Sequence, residues 1–548
     1  MVSVYNPATD KAEVFYNAPS LQRFLRKHED YCLVMHNGIG FDIPVLTKQW
    51  GLYIPHEIAD TYVMSRLWTP RLDGGHSLKA WGERIAPNEG KGDFTDFDGP
   101  ADGESRSEWL ERMEVYCIQD TKLTAKLYDE LMQRLRKAEF TKSAFKLEHD
   151  TQRIMSQQTA NGIYFDLEKA RSLYDDLSAR MREINGEMQE MFPPIVTPRY
   201  SDKQVDKATG EPKRLKDDVD TFNPGSRQKI ADRLTEAGVV LTELTVTGQF
   251  KIDEIVLERI DHPASQKIAE YMMVQKRIGQ LDQWLSYFNE DTHRIHGRVD
   301  TMGTGTYRQS QSKPNLAQIP SVGKPYGKQC RELFRARPGM AFLGCDASGL
   351  ELRCFANRTR NEEYIKIVTE GDAHQFHADL LGISRRDAKT FIYAFIYGAG
   401  NDKIGSIVGG SGAKARELFN SKLIGLKKLT ESTQRMAESG RIIGLDGRPV
   451  AIRSAHSALN FQLQSDGAIL MKRACVNAHQ AISETDWKAQ PLQVVAAHDE
   501  WQFEVHPEDS DKLGKLLVAA IEQAGRDYNM ACPLTGEYAV GNTWADTH

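Results

Sequence analysis

Three things are missing from this 548-residue chain, and each absence excludes a class of protein. No apolar run approaches the roughly 20 residues that a membrane-spanning helix requires, and no basic-then-apolar leader follows Met1. No membrane partner is therefore expected. The seven cysteines (Cys32, Cys117, Cys330, Cys345, Cys354, Cys475 and Cys532) include no Cys-x-x-Cys pair, and several lie inside apolar segments. That spacing argues against zinc and disulfides and for reduced, buried thiols in a cytoplasmic protein. An excess of positive charge is also lacking. The net charge of −6, taken alone, argues against a polyanionic partner.

What is present is an ordinary globular composition, 40% hydrophobic and 27% charged, in a chain long enough for two to four domains. The negative total conceals a local reversal. Between Arg294 and Arg331, seven basic residues (Arg294, Arg298, Arg308, Lys313, Lys324, Lys328 and Arg331) face a single acid, Asp300. Such a stripe suits phosphate contacts, although charge clusters are more often solvated surface.

Residues 1 to about 140 read as alternating strands and helices, interrupted by a loop-rich acidic segment from Pro87 to Glu108. Helical spacing then dominates at 145–160, 166–192 and 264–288, and it stops between Pro193 and Pro224, which reads as an exposed insertion or linker. Short strands follow Arg294, helices run from about 359 to 440, and a Gly-rich turn at Gly444–Gly447 precedes another helix and a strand pair around 498. The fold class is α/β and multidomain.

Two apolar runs end on carboxylates: Ala341–Cys345 leads to Asp346, and Val494–Ala497 leads to His498-Asp499-Glu500. Each reads as a buried strand delivering an aspartate at its exit. Side by side, they would place two carboxylates where a pair of divalent cations, roughly 3.5–4 Å apart, clamps an in-line phosphoryl displacement. Either segment alone is more often a solvated hairpin tip. The segment Arg385–Gly398 is more specific. Positions 385, 389, 393 and 397 are four apart, so on a helix they drift only about 40° per step and share a face carrying two cations and then two phenols. Arg and Lys one turn apart suit a triphosphate, and a tyrosine beyond them suits its sugar or base. On those residues alone, an amphipathic helix with a cationic rim and an aromatic core stripe fits equally well.

Taken together and in order, Asp346–Arg353, Arg385–Gly398 and Val495–Glu500 resemble the three polymerase motifs of family A DNA polymerases, in particular the replicative enzymes of T-odd podophages. Pro314–Pro320, Gly371–His374 and Asn460–Ala468 also resemble that family. The resemblance implies a right-hand polymerase behind an RNase H-like 3′–5′ exonuclease-type domain. Residues 1–140 would be exonuclease-like, 141–300 the thumb with a tip insertion at 193–222, and 301–548 the palm with fingers inserted at about 359–455. The implied activity is template-directed addition of deoxynucleotides to a primer 3′ end.

The resemblance also assigns roles. Asp346, Asp499 and the Ala347 carbonyl would hold two Mg²⁺ ions, with Mn²⁺ as a substitute, and Glu500 would tune those ions or support the turn. Arg385, Lys389 and His374 would contact the triphosphate, with Lys389 also catalytic. Tyr393 would sit at the sugar, Tyr397 near the template base, and Glu351 beside the 2′ position, where it rejects ribonucleotides. Arg308, Gln464 and Asn460 would contact primer–template DNA, the first two through minor-groove acceptors, with His498 at the primer terminus and Lys276 and Arg277 on duplex phosphates. The expected partners are primer–template DNA and deoxynucleoside triphosphates, acting on a monomer, with helicase–primase or single-stranded DNA-binding protein as further partners. At about 30 residues, Pro193–Pro224 is short for a docking module, so a thioredoxin clamp is not expected. One departure lies at Thr306-Tyr307-Arg308, where the family has Thr-Gly-Arg, and it puts the local backbone and the role of Arg308 in question.

His36–Asp42 and Tyr116-Cys117-Ile118-Gln119-Asp120 resemble the second and third motifs of the family's proofreading nuclease. The Asp-x-Glu of its first strand is not visible. The chain opens at Met1–Tyr5, which looks like the second strand, and Asp10 and Glu13 have the wrong spacing and fall in an expected turn. Asp42 and Asp120 alone would hold at most part of a metal pair, so weak or absent proofreading is expected. A mis-assigned start, a shortened chain and a first strand on a separate polypeptide all remain open as causes. Two rival readings are a single-subunit RNA polymerase, against which Glu351 argues, and a non-catalytic primer–template binder. The joint presence of Asp346, Asp499, Arg385, Lys389 and Tyr393 argues against the second.

Many relatives carry phenylalanine where Tyr393 stands, and tyrosine there accompanies easy acceptance of dideoxynucleotides. Tyr393→Phe is therefore expected to raise discrimination against dideoxynucleotides several-fold in primer extension. Equal extension by both forms would remove that role.

Overall fold

Hydrophobic alternation fails in the run Ala341–Cys345 because its strand, Ala341–Ala347, is covered on both faces, with Phe342 and Leu343 fully buried. It lies third in a four-stranded antiparallel sheet ordered Leu492–Ala497, Glu500–Val505, Ala341–Ala347, Gly536–Gly541. Two helices pack together against this sheet, Ala458–Ser483 and Ser510–Asp527. Their apolar faces, including Leu470, Ala474, Leu517 and Ile521, form one core with the strands and with the helices between 350 and 438.

The computed structural model describes residues 1–87, 99–206, 208–245, 247–452 and 454–547. Residues 88–98 of the expected acidic interruption lie outside the described residues. That interruption ends at a capping box, in which Ser105 and Glu108 satisfy each other's backbone N–H groups and start the helix Arg106–Lys137.

The chain forms two compact units. One comprises residues 1–163, 296–319 and 336–548, and the other 164–295 and 320–335. In the second unit, the long helices Leu167–Met191 and Pro263–Ser286 pair, with Arg180 holding Glu270 at 2.6 Å. The segment read as an insertion or linker is exposed but not irregular. Ile195–Thr197 pairs with Asp218–Asp220, and Tyr200–Val205 with Pro212–Arg214, giving nested hairpins. Their strands bury no face, so no apolar alternation revealed them.

The thumb range expected from sequence began at residue 141, yet the helix Lys142–Asn161 lies in the first unit. Its Glu148 explains why. The carboxylate receives Lys472 through both oxygens (2.7 and 2.8 Å) and also Arg448, whose guanidinium turns its other side to Asp446 at 2.6 Å. All four side chains are buried. Two acids and two bases balance, so the quartet is neutral inside the core. Glu148→Gln keeps the volume but strands the Lys472 charge, and it is expected to lower stability by about 3–5 kcal/mol. Urea denaturation measures this, and an unchanged midpoint would show that the quartet does not anchor the helix.

Candidate active site

Asp346 stands on the central strand opposite Glu500 on one neighbour and Glu537 on the other. The two aspartate-bearing runs were expected to lie side by side. Instead the strand Glu500–Val505 runs between them, and Asp499 arrives by way of a turn. Ala497 and Glu500 pair across a two-residue tip in which His498 takes a left-handed backbone (φ 58°), and the Asp499 carbonyl accepts the Ala347 N–H at 3.0 Å. This bond ties the hairpin tip to the end of the central strand.

The carboxylates crowd one another. Burial among the strand ends, then Asp499, Glu500 and Glu537, push the Asp346 carboxyl up to about 7. Burial also raises Asp499, against the pull of His498 and Arg308. Glu500 is buried and accepts hydrogen bonds from the Trp544 indole and the Gln502 amide through one oxygen, which supports the hairpin, while its charge acts on Asp346 in the neighbouring strand. Sequence reading missed Glu537 because its strand is half-exposed and no apolar run announces it.

The helix Arg385–Ile396, capped by Ser384, buries Ala388, Phe391, Ile392, Phe395 and Ile396. Its other face carries Arg385, Lys389 and half-buried Tyr393 and ends at Tyr397, so the core stripe and the polar face are separate sets of residues. Arg385 pairs with Asp372 at 2.8 Å, and Asp372 in turn caps the helix Ala373–Leu381 that bears His374. The His374 ring lies 6.3 Å from that of Tyr393, and burial, Lys389 and Arg385 hold its imidazole below the ordinary range. Burial, Glu351 and Asp499 raise the Tyr393 phenol. Glu351 lies in the first turn of the helix Leu350–Thr359, where it accepts both the Arg308 guanidinium and the Tyr397 hydroxyl at 2.8 Å. Arg308, His498, Asp499, Leu350, Met471 and Trp501 line one recess. Asp499 and Arg308 thus share this recess, Glu351 joins Arg308 to Tyr397, and Tyr393 lies within electrostatic reach of Asp499 and Glu351.

Residues 199–546 match the profile of DNA polymerase family A. The chain is 32% identical to the DNA-directed DNA polymerase of Enterobacteria phage T3 over 94% of its length and 92% of that protein's. It has the same identity and coverage with the corresponding enzyme of Escherichia phage T7. The chain belongs to DNA polymerase family A. Its fold matches the POL domain of Pol1 from M. smegmatis, solved with DNA primer-template and dNTP, at a TM-score of 0.78 and 20% identity, over 96% of this chain and 88% of that one. This is the right-hand polymerase architecture, and its activity is template-directed DNA synthesis.

Not every expected contact of this polymerase faces outward. Arg277 is buried, donating to the Pro325 carbonyl at 3.2 Å and to Gln280 at 3.0 Å, so it is a packing anchor rather than a phosphate grip. Lys276 beside it is exposed, with Glu254 at 4.0 Å. Arg294 and Arg331 are buried too, which thins the basic stripe. Gln464 accepts the Thr306 hydroxyl at 3.3 Å, and four residues earlier on the same helix the buried Asn460 Oδ1 has no partner among the described residues.

In the N-terminal region Asp42 opens the helix Asp42–Trp50, while Tyr116 and Asp120 lie one turn apart on Arg106–Lys137. Asp10 does sit in a turn, whereas Glu13 lies within the strand Lys11–Phe15. Asp60, not singled out from sequence, is buried and accepts the N–H groups of Asn37, Ile39 and Tyr62, which fixes the loop before Asp42.

Family A polymerases use divalent metal ions, and the donor set here fits them. Among the described residues no group of three or more His, Cys, Asp or Glu side chains is arranged to hold a metal. A pair of hard carboxylates completed by water and substrate phosphates is what Mg²⁺ accepts, in preference to a closed protein cage. A raised Asp346 pKa means that the folded protein binds its proton more tightly than the unfolded chain does. Metal-free stability therefore falls as pH climbs from the ordinary 3.8 through about 7. Asp346→Asn is expected to stabilise the metal-free protein at pH 8 by about 1 kcal/mol, a figure discounted for solvent exposure, and by less at pH 5. Thermal melts in chelator measure the difference, and equal gains at both pH values would contradict the crowding.

Proposed function

We propose that this polymerase extends a primer 3′ end with deoxynucleotides by two-metal nucleotidyl transfer in a phage replicative role. The observation that supports the reading is that Asp499, which crowds Asp346, also acts together with Glu351 on Tyr393, a residue of the same helix face as Arg385 and Lys389. Asp346, Asp499 and the Ala347 main chain would hold two Mg²⁺ ions, or Mn²⁺ in their place. When bound, these ions acidify the primer hydroxyl and stabilise the charge on the departing pyrophosphate.

The chain's own residues do the rest. Arg385 exchanges Asp372 for the triphosphate, and Lys389 neutralises charge gathering on the leaving group. His374, kept neutral by burial and its cationic neighbours, donates a hydrogen bond to a phosphate oxygen. Tyr393 packs against the sugar. Glu351, fixed by Arg308 and Tyr397, fills the space a 2′-hydroxyl needs. Arg308, Gln464 and Asn460 lie toward the primer–template minor groove, His498 toward the primer terminus and Lys276 toward duplex phosphates, while Tyr397 passes from Glu351 to the template base.

Asp42 and Asp120 would need further carboxylates to hold a metal pair for proofreading. None of the strands Val2–Asn6, Lys11–Phe15, Leu33–Met35 and Ile58–Asp60 carries an Asp-x-Glu to complete Asp42 and Asp120. The working partners are primer–template DNA and deoxynucleoside triphosphates, without a thioredoxin clamp.

Extension of a primed template with Mg²⁺ and either deoxy- or ribonucleotides tests the whole reading. Deoxynucleotide extension should dominate, and Asp499→Ala should reduce it by at least about a hundredfold. Ribonucleotide preference, or activity indifferent to that substitution, would overturn the assignment.

A further inference from the structure

Tyr307 occupies a backbone position that ordinarily belongs to glycine. Its φ is 61°, in the left-handed region where a side chain is strained, yet its ring is 2% exposed and lies inside a hydrophobic cluster with Met64, Leu67, Met302, Ile442 and Val450. A strained residue persists only where its surroundings over-determine it. Here three things do. The hydroxyl donates to the Leu67 carbonyl at 2.9 Å, the ring lies 4.9 Å from the guanidinium carbon of buried Arg448, and the N–H closes a turn on the Thr304 carbonyl at 3.0 Å.

The next residue is Arg308. Its N–H donates to the Thr304 hydroxyl at 3.0 Å, and its side chain holds Glu351. The same loop is gripped a second time from the same helix, Thr61–Trp68, where Arg66 donates to Asp300 and, at 2.9 Å, to the Met302 carbonyl. One short helix of the nuclease-like region thus holds the 300–308 loop at both ends of its turn, directly behind the residue that fixes the carboxylate beside the sugar.

We propose that Tyr307 is a positioning residue for sugar selection: clamped by Leu67 and Arg448, it sets the backbone of Arg308 and through it the stance of Glu351. The nuclease-like region then serves nucleotide choice through Arg66 and Leu67, independently of any nuclease chemistry. The inference rests on the sugar-selecting role proposed for Glu351, and its test separates the two.

The measurement is the ratio of kcat/KM for a deoxynucleotide to that for the matching ribonucleotide on the full chain, with thermal melts to verify folding. Tyr307→Gly and Tyr307→Asn both tolerate the left-handed backbone but lose the clamp, and each should narrow the ratio about tenfold. Tyr307→Phe keeps the ring over Arg448 but loses the bond to the Leu67 carbonyl, so it should narrow the ratio by about threefold, and an unchanged ratio would remove the link through Leu67. Arg66→Gln leaves the Tyr307 core intact and should narrow the ratio by about threefold, so the idea remains testable if the Gly and Asn forms do not fold. Glu351→Ala is the control. If it leaves the ratio unchanged, the sugar-selecting role of Glu351 fails. If it collapses the ratio while folded Tyr307 and Arg66 variants keep theirs, the positioning role fails.

Discussion

The site depends on burial of the strand Ala341–Ala347 on both faces. Apolar side chains above and below fix its register against Glu500–Val505 and Gly536–Gly541, and that register decides which carboxylates meet. A slip of one residue would turn Asp346 into the core. The sheet therefore uses hydrophobic energy to enforce an electrostatically unfavourable cluster, which a bound cation would relieve. The Ala347 to Asp499 backbone bond extends the same register to the hairpin tip.

A second arrangement recurs around this cluster: charges are committed in pairs before any substrate arrives. Arg385 is held by Asp372, Arg308 by Glu351, and Arg358 by the buried Asp466 at 2.6 Å. The Glu148–Arg448–Lys472–Asp446 quartet is the fully buried extreme. Near the surface such pairs are weak and exchangeable, whereas in the core they are costly to break. The gradient runs from scaffold to working groups.

Much of this was legible in the sequence, because the signals were local. The four-residue spacing from Arg385 to Tyr397 needs only a helix to become one face, and the apolar runs before Asp346 and Asp499 need only strands. What escaped was non-local or carried by residues without a pattern. The strand inserted between the two aspartate-bearing runs reflects sheet order, which periodicity does not encode. The resemblance assigns Arg277 to duplex phosphates, but a family motif does not report that this side chain is buried against the Pro325 carbonyl. Asp60 was hidden because its role is to cap backbone. Tyr307 drew attention only as a departure from the family pattern. Its meaning required Leu67 and Arg448, 240 and 141 positions away in the chain.

The Asp372 carboxylate, described above as a helix cap, has a further consequence for Arg385. It serves as an internal competitor that occupies the guanidinium until a stronger anion displaces it. A single negative charge merely trades one carboxylate-like contact for another and gains little. On the role proposed for Arg385, a triphosphate would bring more charge than Asp372 supplies and would reach Lys389 one turn along, so it would gain more from the exchange than a singly charged anion. The resting pair would then favour polyvalent anions of the surrounding solution, before base or sugar is examined.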